Sequence, residues 1–334
     1  LGAHGRFAET EVGVQVLLYT TKKTQRITMQ KRTIGSLEVS VVGVGCNNFG
    51  VRSDAATSIA VVNSALEAGI NFFDTADIYG ATKSEVILGE ALGDRRANVV
   101  VATKFGMPVD DDHFGAAPKY VRRACEDSLK RLGTDYIDLY QLHAPDDTVP
   151  IGDTLGALDE LVVAGKVREI GCSNLSAAQL HDATVAAGNG ARFVSVQNQF
   201  SLLAREPERD GVLDACSELG LGFLPFYPLA NGLLTGKIRP GEPIPEGSRL
   251  AKMAPERSAH WLGEPLRVKV DALVRYAEQI NVPLLNLAFS WLLHHEQVSS
   301  VIAGASSAAQ VSANAAAPID LSAEQVATLN QLTA

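Results

Sequence analysis

The sequence predicts an α/β protein with a single closed (β/α)8 barrel (TIM barrel), its active site at the C-terminal ends of the strands. Three observations lead there. Eight short apolar, β-branched runs recur along the chain, and nearly every one is followed by a stretch with helical spacing. No change in composition marks a second domain. The length, 334 residues, suits a barrel of about 250 residues with insertions.

The runs fall at 39–45 (VSVVGVG), 70–73 (INFF), 98–103 (NVVVAT), 136–143 (YIDLYQLH), 167–173 (VREIGCS), 193–199 (FVSVQNQ), 222–226 (GFLPF) and 299–304 (SSVIAG). Each is continuously apolar rather than alternating, as expected for strands covered on both faces. Between them, helical spacing is expected over 54–68, 84–92, 118–132, 154–164, 176–187, 209–219 and, as one longer stretch, 266–294. Ser53, Ser84 and Ser176 followed by Gln179 read as helix starts, and Gly69, Gly133, Gly165 and Gly220 as helix ends. An open doubly wound sheet would carry G-x-G-x-x-G at its first turn; here Gly43-Val44-Gly45-Cys46-Asn47-Asn48 lacks the last glycine.

Residues 1–28 carry little pattern, and Met29 opens what reads as a fresh start. They are expected to be an extension, poorly ordered or not native, ahead of a barrel spanning 29–334. Within them VGVQVLLY is too short to span a membrane, and its lysines follow rather than precede it. A net charge of −9 argues against a nucleic-acid or anionic-membrane partner. Hydrophobic residues at 46% and charged residues at 20% describe an ordinary soluble core. The four cysteines, Cys46, Cys125, Cys172 and Cys216, form no C-x-x-C pair, which points to reduced thiols in a cytoplasmic protein. Asp110-Asp111-Asp112 lacks further ligands and reads as a solvated loop, so no metal site is expected.

Barrels place their chemistry just past the strands. Those positions hold Asp74 and Tyr79, Lys104, His143, Ser173 with Asn174, and Gln197 with Asn198. Each has a plain explanation alone: a turn cap, a packed ring, a loop lysine, a structural histidine. Four titratable groups from three consecutive strand ends make a poorer coincidence. A carboxylate can hold a lysine charged, and the ammonium is expected to lower the pKa of a nearby phenol from about 10. A histidine can orient a carbonyl oxygen. The set suits proton transfer beside an external hydride source. A different chemistry, a Schiff base on Lys104 without cofactor, is a further possibility from the same residues.

Seven ordered segments, FFDTADIYG, VVATKFG, DYIDLYQLH, REIGCSN, VQNQFSLL, PFYPLANGLLTGK and VIAGASSAAQVSANAAA, resemble the aldo-keto reductase family over about residues 31–333. The resemblance implies a barrel binding NADP(H) across its C-terminal face and reducing aldehydes or ketones to alcohols, reversibly. It implies Tyr79 as general acid/base, Lys104 and Asp74 as its tuning pair, and His143 as orienter of the carbonyl. Ser173, Asn174 and Gln197 would hold the nicotinamide carboxamide and Phe226 its ring. Leu229, Asn231, Gly232 and Leu233 would follow the pyrophosphate, and Gly304, Ser306, Gln310 and Asn314 the adenosine. Gly45, Cys46, Asn47 and Tyr227 complete the expected cofactor contacts, and Phe49, Phe105, Tyr227 and Trp261 are expected to wall the substrate.

The chain departs from many relatives in one respect. No lysine or arginine stands in Gly304–Gln310 to pair with a 2′-phosphate, which leaves hydroxyls and the helix start near Ser307, and leaves NAD(H) as the less favoured cofactor. Loops 106–117 and 235–264 are expected to shape a partly apolar substrate site. Since related barrels also resemble ion-channel accessory subunits, a nicotinamide-binding regulatory subunit with little turnover is the alternative function.

Overall fold

The structure, a computed structural model, describes residues 29–239 and 241–334; the expectation for residues 1–28 lies outside them. Eight parallel strands, β3 (Val42–Gly45), β4 (Phe72–Asp74), β5 (Val100–Phe105), β6 (Ile137–Leu142), β7 (Val167–Ser173), β8 (Phe193–Gln199), β9 (Gly222–Phe226) and β10 (Val301–Gly304), are ordered β10-β3-β4-β5-β6-β7-β8-β9. The ring is completed between the outer pair by a parallel bridge from Phe223 to Val298, with Phe223 N donating to Gln297 O at 2.7 Å and Ser299 N to Phe223 O at 3.0 Å. The predicted barrel is thus what the chain forms, nearly closed by regular pairing.

The first apolar run divides, contrary to expectation. Residues Leu37–Ser40 (β2) pair antiparallel with Lys31–Ile34 (β1) across a two-residue turn in which Gly35 adopts φ 54°. Ile34, Leu37 and Val39 then bury themselves against Phe72, Val100, Ala102, Leu139, Leu224 and Ile302, the inward residues of the barrel. Arg32 ties the hairpin down by donating to the carbonyls of Leu293, His295 and Val298, which precede β10. The hairpin therefore closes the N-terminal end, leaving the C-terminal rim as the open one.

Helices cover the outside. Pro118–Leu132 ends on Gly133 at φ 63°, and Ala177–Ala187 begins with a capping box in which the side chains of Ser176 and Gln179 each bond the other's backbone. Ala55–Glu67 is capped by Asp54, which accepts from Thr57 N at 2.8 Å; Ser53 is not the cap. The expected long helix over 266–294 is two, Glu264–Gln279 and Leu284–His294, because Pro283 cannot donate to the ladder and Asn281 has already turned to φ 52°. A further helix, Pro255–Leu262, lies in the loop after β9, and Ala308–Ala315 and Ala323–Thr333 close the chain.

Leu37→Ala removes the centre of the plug and leaves a cavity, so urea denaturation should read a loss of about 2–5 kcal/mol. A loss below 1 kcal/mol would show that the hairpin does not close the core.

Candidate active site

Asp74 ends β4, Lys104 is the penultimate residue of β5, and His143 follows β6 by one residue. Adjacent parallel strands in register therefore set the three side chains on one rim. Lys104 is fully buried. Its Nζ donates to Asp74 Oδ1 at 2.6 Å and to Thr75 O at 2.9 Å. Burial alone would strip the proton from such an amine, but the charge of Asp74 and the proximity of Tyr79 outweigh it and hold the lysine above its ordinary pKa. The other carboxylate oxygen, Asp74 Oδ2, accepts from Gln197 Nε2 at 2.9 Å and Gln141 Nε2 at 3.2 Å.

Tyr79 sits on the turn after β4, where Gly80 follows at φ 65°. A Cβ at Gly80 would lie 2.5 Å from Phe49 O, so a glycine is required there for the turn to close on the β3 loop. The Lys104 ammonium lies 5.1 Å from the centre of the Tyr79 ring, and the His143 ring meets that ring edge to face at 5.8 Å. Burial pushes the phenol above its ordinary value, with Lys104 pulling it back and Asp74 adding to the rise. This reverses the expected lowering: the cost of burying a phenolate exceeds what the ammonium, partly cancelled by Asp74, returns. His143 is pushed down to about 3 by burial and by Lys104, so its imidazole is neutral at physiological pH. Asn174 Nδ2 donates to His143 O at 2.9 Å, which ties the β7 end to the histidine.

The remaining predicted residues line the same rim unevenly. Ser173 Oγ donates to Gln197 O at 2.6 Å, and Asn174, at φ 62°, is exposed. Gln197 is buried with its amide N–H committed to Asp74 rather than turned to the mouth. Phe226 and Tyr227 are half-buried and meet edge to face at 5.3 Å; Tyr227 meets Trp261 likewise at 6.4 Å. Leu229 precedes a 3-10 turn, Ala230–Thr235, in which Asn231 (φ 56°) and Gly232 (φ 104°) leave the helical region and Leu233 is buried. Gly45, Asn47 and Gly304 come together at the β3 and β10 ends, where a Cβ on Gly304 would lie 3.7 Å from Asn47 Oδ1. Ser306 N donates to Gln310 Oε1 at 2.8 Å, Ser307 caps Ala308–Ala315, and Asn314 is buried on that helix.

Three expected side chains do not reach the mouth. Phe49 and Phe105 have no exposure, and Phe105 stacks on Tyr140 at 4.7 Å, so both are core residues rather than substrate walls. The Cys46 thiol is also fully buried, with Val44 O its contact at 3.8 Å. Trp261 does line open space: a groove of about 770 Å³ runs between it, Asn174, Asn198, Gln199 and Pro207.

Comparison with known proteins agrees with this fold. Residues 41–334 match the sequence model of the Aldo/keto reductase family. The chain belongs to the aldo-keto reductase family. It is 36% identical over 264 residues to probable aldo-keto reductase 1 of Glycine max, covering 77% of this chain and 74% of that protein. It is 37% identical over 284 residues to the uncharacterized oxidoreductase YrpG of Bacillus subtilis (strain 168), covering 80% and 84%. Its fold matches aldo-keto reductase AKR11C1 from Bacillus halodurans (holo form) with a TM-score of 0.74 at 32% identity, over 91% of this chain and 96% of that one. As an aldo-keto reductase the chain is an oxidoreductase by family. Among the described residues no helix is long and apolar enough to cross a membrane, and no group of three or more His, Cys, Asp or Glu could hold a metal.

Several residues at or beside the candidate site were not expected from the sequence. Glu85, fully buried, accepts from Thr103 Oγ1 at 2.5 Å and pairs with Arg131 at 2.6 Å. Asp77, raised to about 7 by burial and by Glu85, is buried on the segment of chain that joins Asp74 to Tyr79. Arg249 lies over the Tyr227 ring at 5.0 Å with its Nε buried and unpartnered. Gln141 had a readable signal, since strand alternation puts it on the same face as His143 two residues on.

His143 gives the site a pH signature. Its folded value near 3 lies below the ordinary 6.5, so the unfolded chain takes up the extra proton in between. Its contribution is intact above pH 6.5 and is lost as pH falls toward 3. His143→Asn should flatten that part of the acid loss, by on the order of a few kcal/mol, in denaturation curves taken across the window. An unchanged slope would mean that His143 titrates normally.

Proposed function

We propose that the chain is an NADP(H)-dependent reductase converting aldehydes or ketones to alcohols, reversibly, with Tyr79 as the acid/base. The observation that carries this reading is a fully buried Lys104 ammonium, pinned by Asp74 and set against the Tyr79 ring, opposite a neutral His143. A reduced nicotinamide, when bound, would supply the hydride. The chain's residues would do the rest. The phenol stays protonated at neutral pH, as a donor must, and the ammonium stabilises the phenolate left behind. His143, lacking a charge, would hydrogen-bond the carbonyl without competing as an acid. In the oxidative direction the phenolate would accept the alcohol proton. Lys104 is a poor Schiff-base nucleophile, because that role needs a free amine and Asp74 keeps this one charged.

The donor set fits such a cofactor. Exposed Asn174 would take the carboxamide and Phe226 the ring, while Ser173 and Gln197, whose donors are bonded to Gln197 O and Asp74, would frame the site from behind. Burial lowers the Arg249 guanidinium, Tyr227 opposes that, and Arg52 and Arg257 add repulsion. Three guanidiniums that repel one another favour an anion among them. They would favour the phosphates common to both dinucleotides, whereas the support for NADP(H) over NAD(H) is the Ser307-capped start of Ala308–Ala315 with the Ser306 hydroxyl beside it. Trp261, which meets Tyr227 edge to face, would give the substrate an aromatic wall.

Tyr79→Phe should cut turnover on a carbonyl panel by at least about 100-fold while NADPH affinity, read by fluorescence quenching, stays within about threefold. Wild-type kcat in that variant would refute the role. Turnover absent from the wild type, with tight cofactor binding, would point instead to an accessory subunit. Arg249→Met should weaken NADPH binding about tenfold or more, as loss of a charged hydrogen bond does. An unchanged Kd, or a wild type with higher kcat/KM for NADH, would remove the phosphate argument.

A further inference from the structure

Gln141 is fully buried, and the two ends of its amide fare differently. Nε2 donates to Asp74 Oδ2 at 3.2 Å, whereas Oε1 is buried with no protein partner. A buried acceptor left unmade destabilises the fold, and an apolar side chain of similar size would avoid it. The amide cannot simply turn over, because that would set Oε1 against a carboxylate. Room for it is made on the next strand: Gln141 lies in register with Gly171, where a Cβ would come within 2.5 Å of Ser195 Oγ and 3.2 Å of Gln141 Cγ.

Asp74, Gln141 and Gln197 come from β4, β6 and β8, alternate strands that fill one layer of a barrel. Two neutral donors thus share Oδ2 while Lys104 holds Oδ1. We propose that Gln141 is a positioning residue for the reaction: by sharing the charge on Asp74 Oδ2 it sets how much of the Lys104 ammonium's field reaches the Tyr79 hydroxyl. The proposal rests on the reading of Tyr79 as the proton donor. Without the Gln141 N–H the Asp74 charge is less dispersed. It cancels more of the ammonium, and the phenolate at Tyr79 becomes harder to form. The charged and titratable groups around the pair are Lys104, Asp74, His143 and Tyr227 about the phenol, with Cys46 and Asp77 facing Lys104.

Gln141→Met and Gln141→Leu test this. Each removes the donor and the orphaned acceptor together, so both should fold with melting points at or above that of the wild type. The alkaline limb of kcat/KM for carbonyl reduction should move up by about one pH unit, and kcat for alcohol oxidation at neutral pH should fall about tenfold. A purely structural role would lower rates at every pH without moving the limb, and failure of both variants to fold would also assign Gln141 to structure; either result overturns the proposal. Carbon-13 NMR of ring-labelled tyrosine in the cofactor-free protein, with Tyr79 assigned through Tyr79→Phe, gives a readout independent of turnover. A Tyr79 resonance that begins to titrate at the same pH in wild type and Gln141→Met refutes the role of Gln141 whether or not the protein reduces carbonyls. A wild type that reduces none refutes only the functional reading.

Discussion

A lysine ammonium with no solvent exposure is the constraint on which the rim of this barrel depends. Taking that charge out of water without compensation would be prohibitive, and the amine would lose its proton instead. Asp74 at 2.6 Å and the carbonyl of Thr75 at 2.9 Å prevent this. Both partners come from β4 and its first loop residue, so the pair fixes the end of β4 against the end of β5. The turn that carries Tyr79 starts from that fixed point. The phenol ring lies 5.1 Å from the ammonium because both are held from that point.

The surrounding structure keeps the pair dry and stiff. Beside Lys104 in sequence, Thr103 donates to Glu85 and Arg131 closes on the same carboxylate, a second, partly buried ion pair that locks the helices Lys83–Leu92 and Pro118–Leu132 to β5. Truncating one side of such a pair leaves an uncompensated charge in the core, so it acts more as a geometric lock than as a source of stability. At the opposite end the β1–β2 hairpin seals the barrel with Ile34, Leu37 and Val39. Water therefore reaches the interior layer from one side, which is where polar side chains gather.

Much of this was legible in the sequence, for identifiable reasons. Buried parallel strands leave continuous apolar runs, and the polar residue that ends each run is the rim residue; Asp74, Lys104, His143 and Ser173 follow from that rule. The hairpin was not legible, because 39–45 reads as one apolar run and only the pairing of Leu37–Ser40 with Lys31–Ile34 divides it. Phe49 and Phe105 were misread because an aromatic residue near a strand end can face the mouth or the core with the same local sequence. The Tyr79 shift was misjudged because it is the balance of burial against two opposed charges, and burial has no signature along the chain. Arg249 sits in a long loop without periodicity, 22 residues beyond the tyrosine it covers.

The charges around the mouth fall into two groups with different tasks. At the proposed reaction centre Asp74 and Lys104 cancel, and His143 and Tyr79 are neutral at physiological pH, so the centre carries almost no net charge. Proton transfer there would change the charge on one phenol by one unit, a step that a single adjacent ammonium can stabilise. A second group of cations lies at Arg52, Arg249 and Arg257, in a chain whose overall charge is −9. An anionic cofactor held there would have its phosphates neutralised away from the reacting atoms. Changes in the arginines would then alter cofactor affinity, while changes around Asp74 would alter acid strength. The two groups meet at Tyr227, which accepts from Arg249 Nη2 at 3.3 Å and adds to the rise of the Tyr79 phenol, so a change at Arg249 would reach the acid as well.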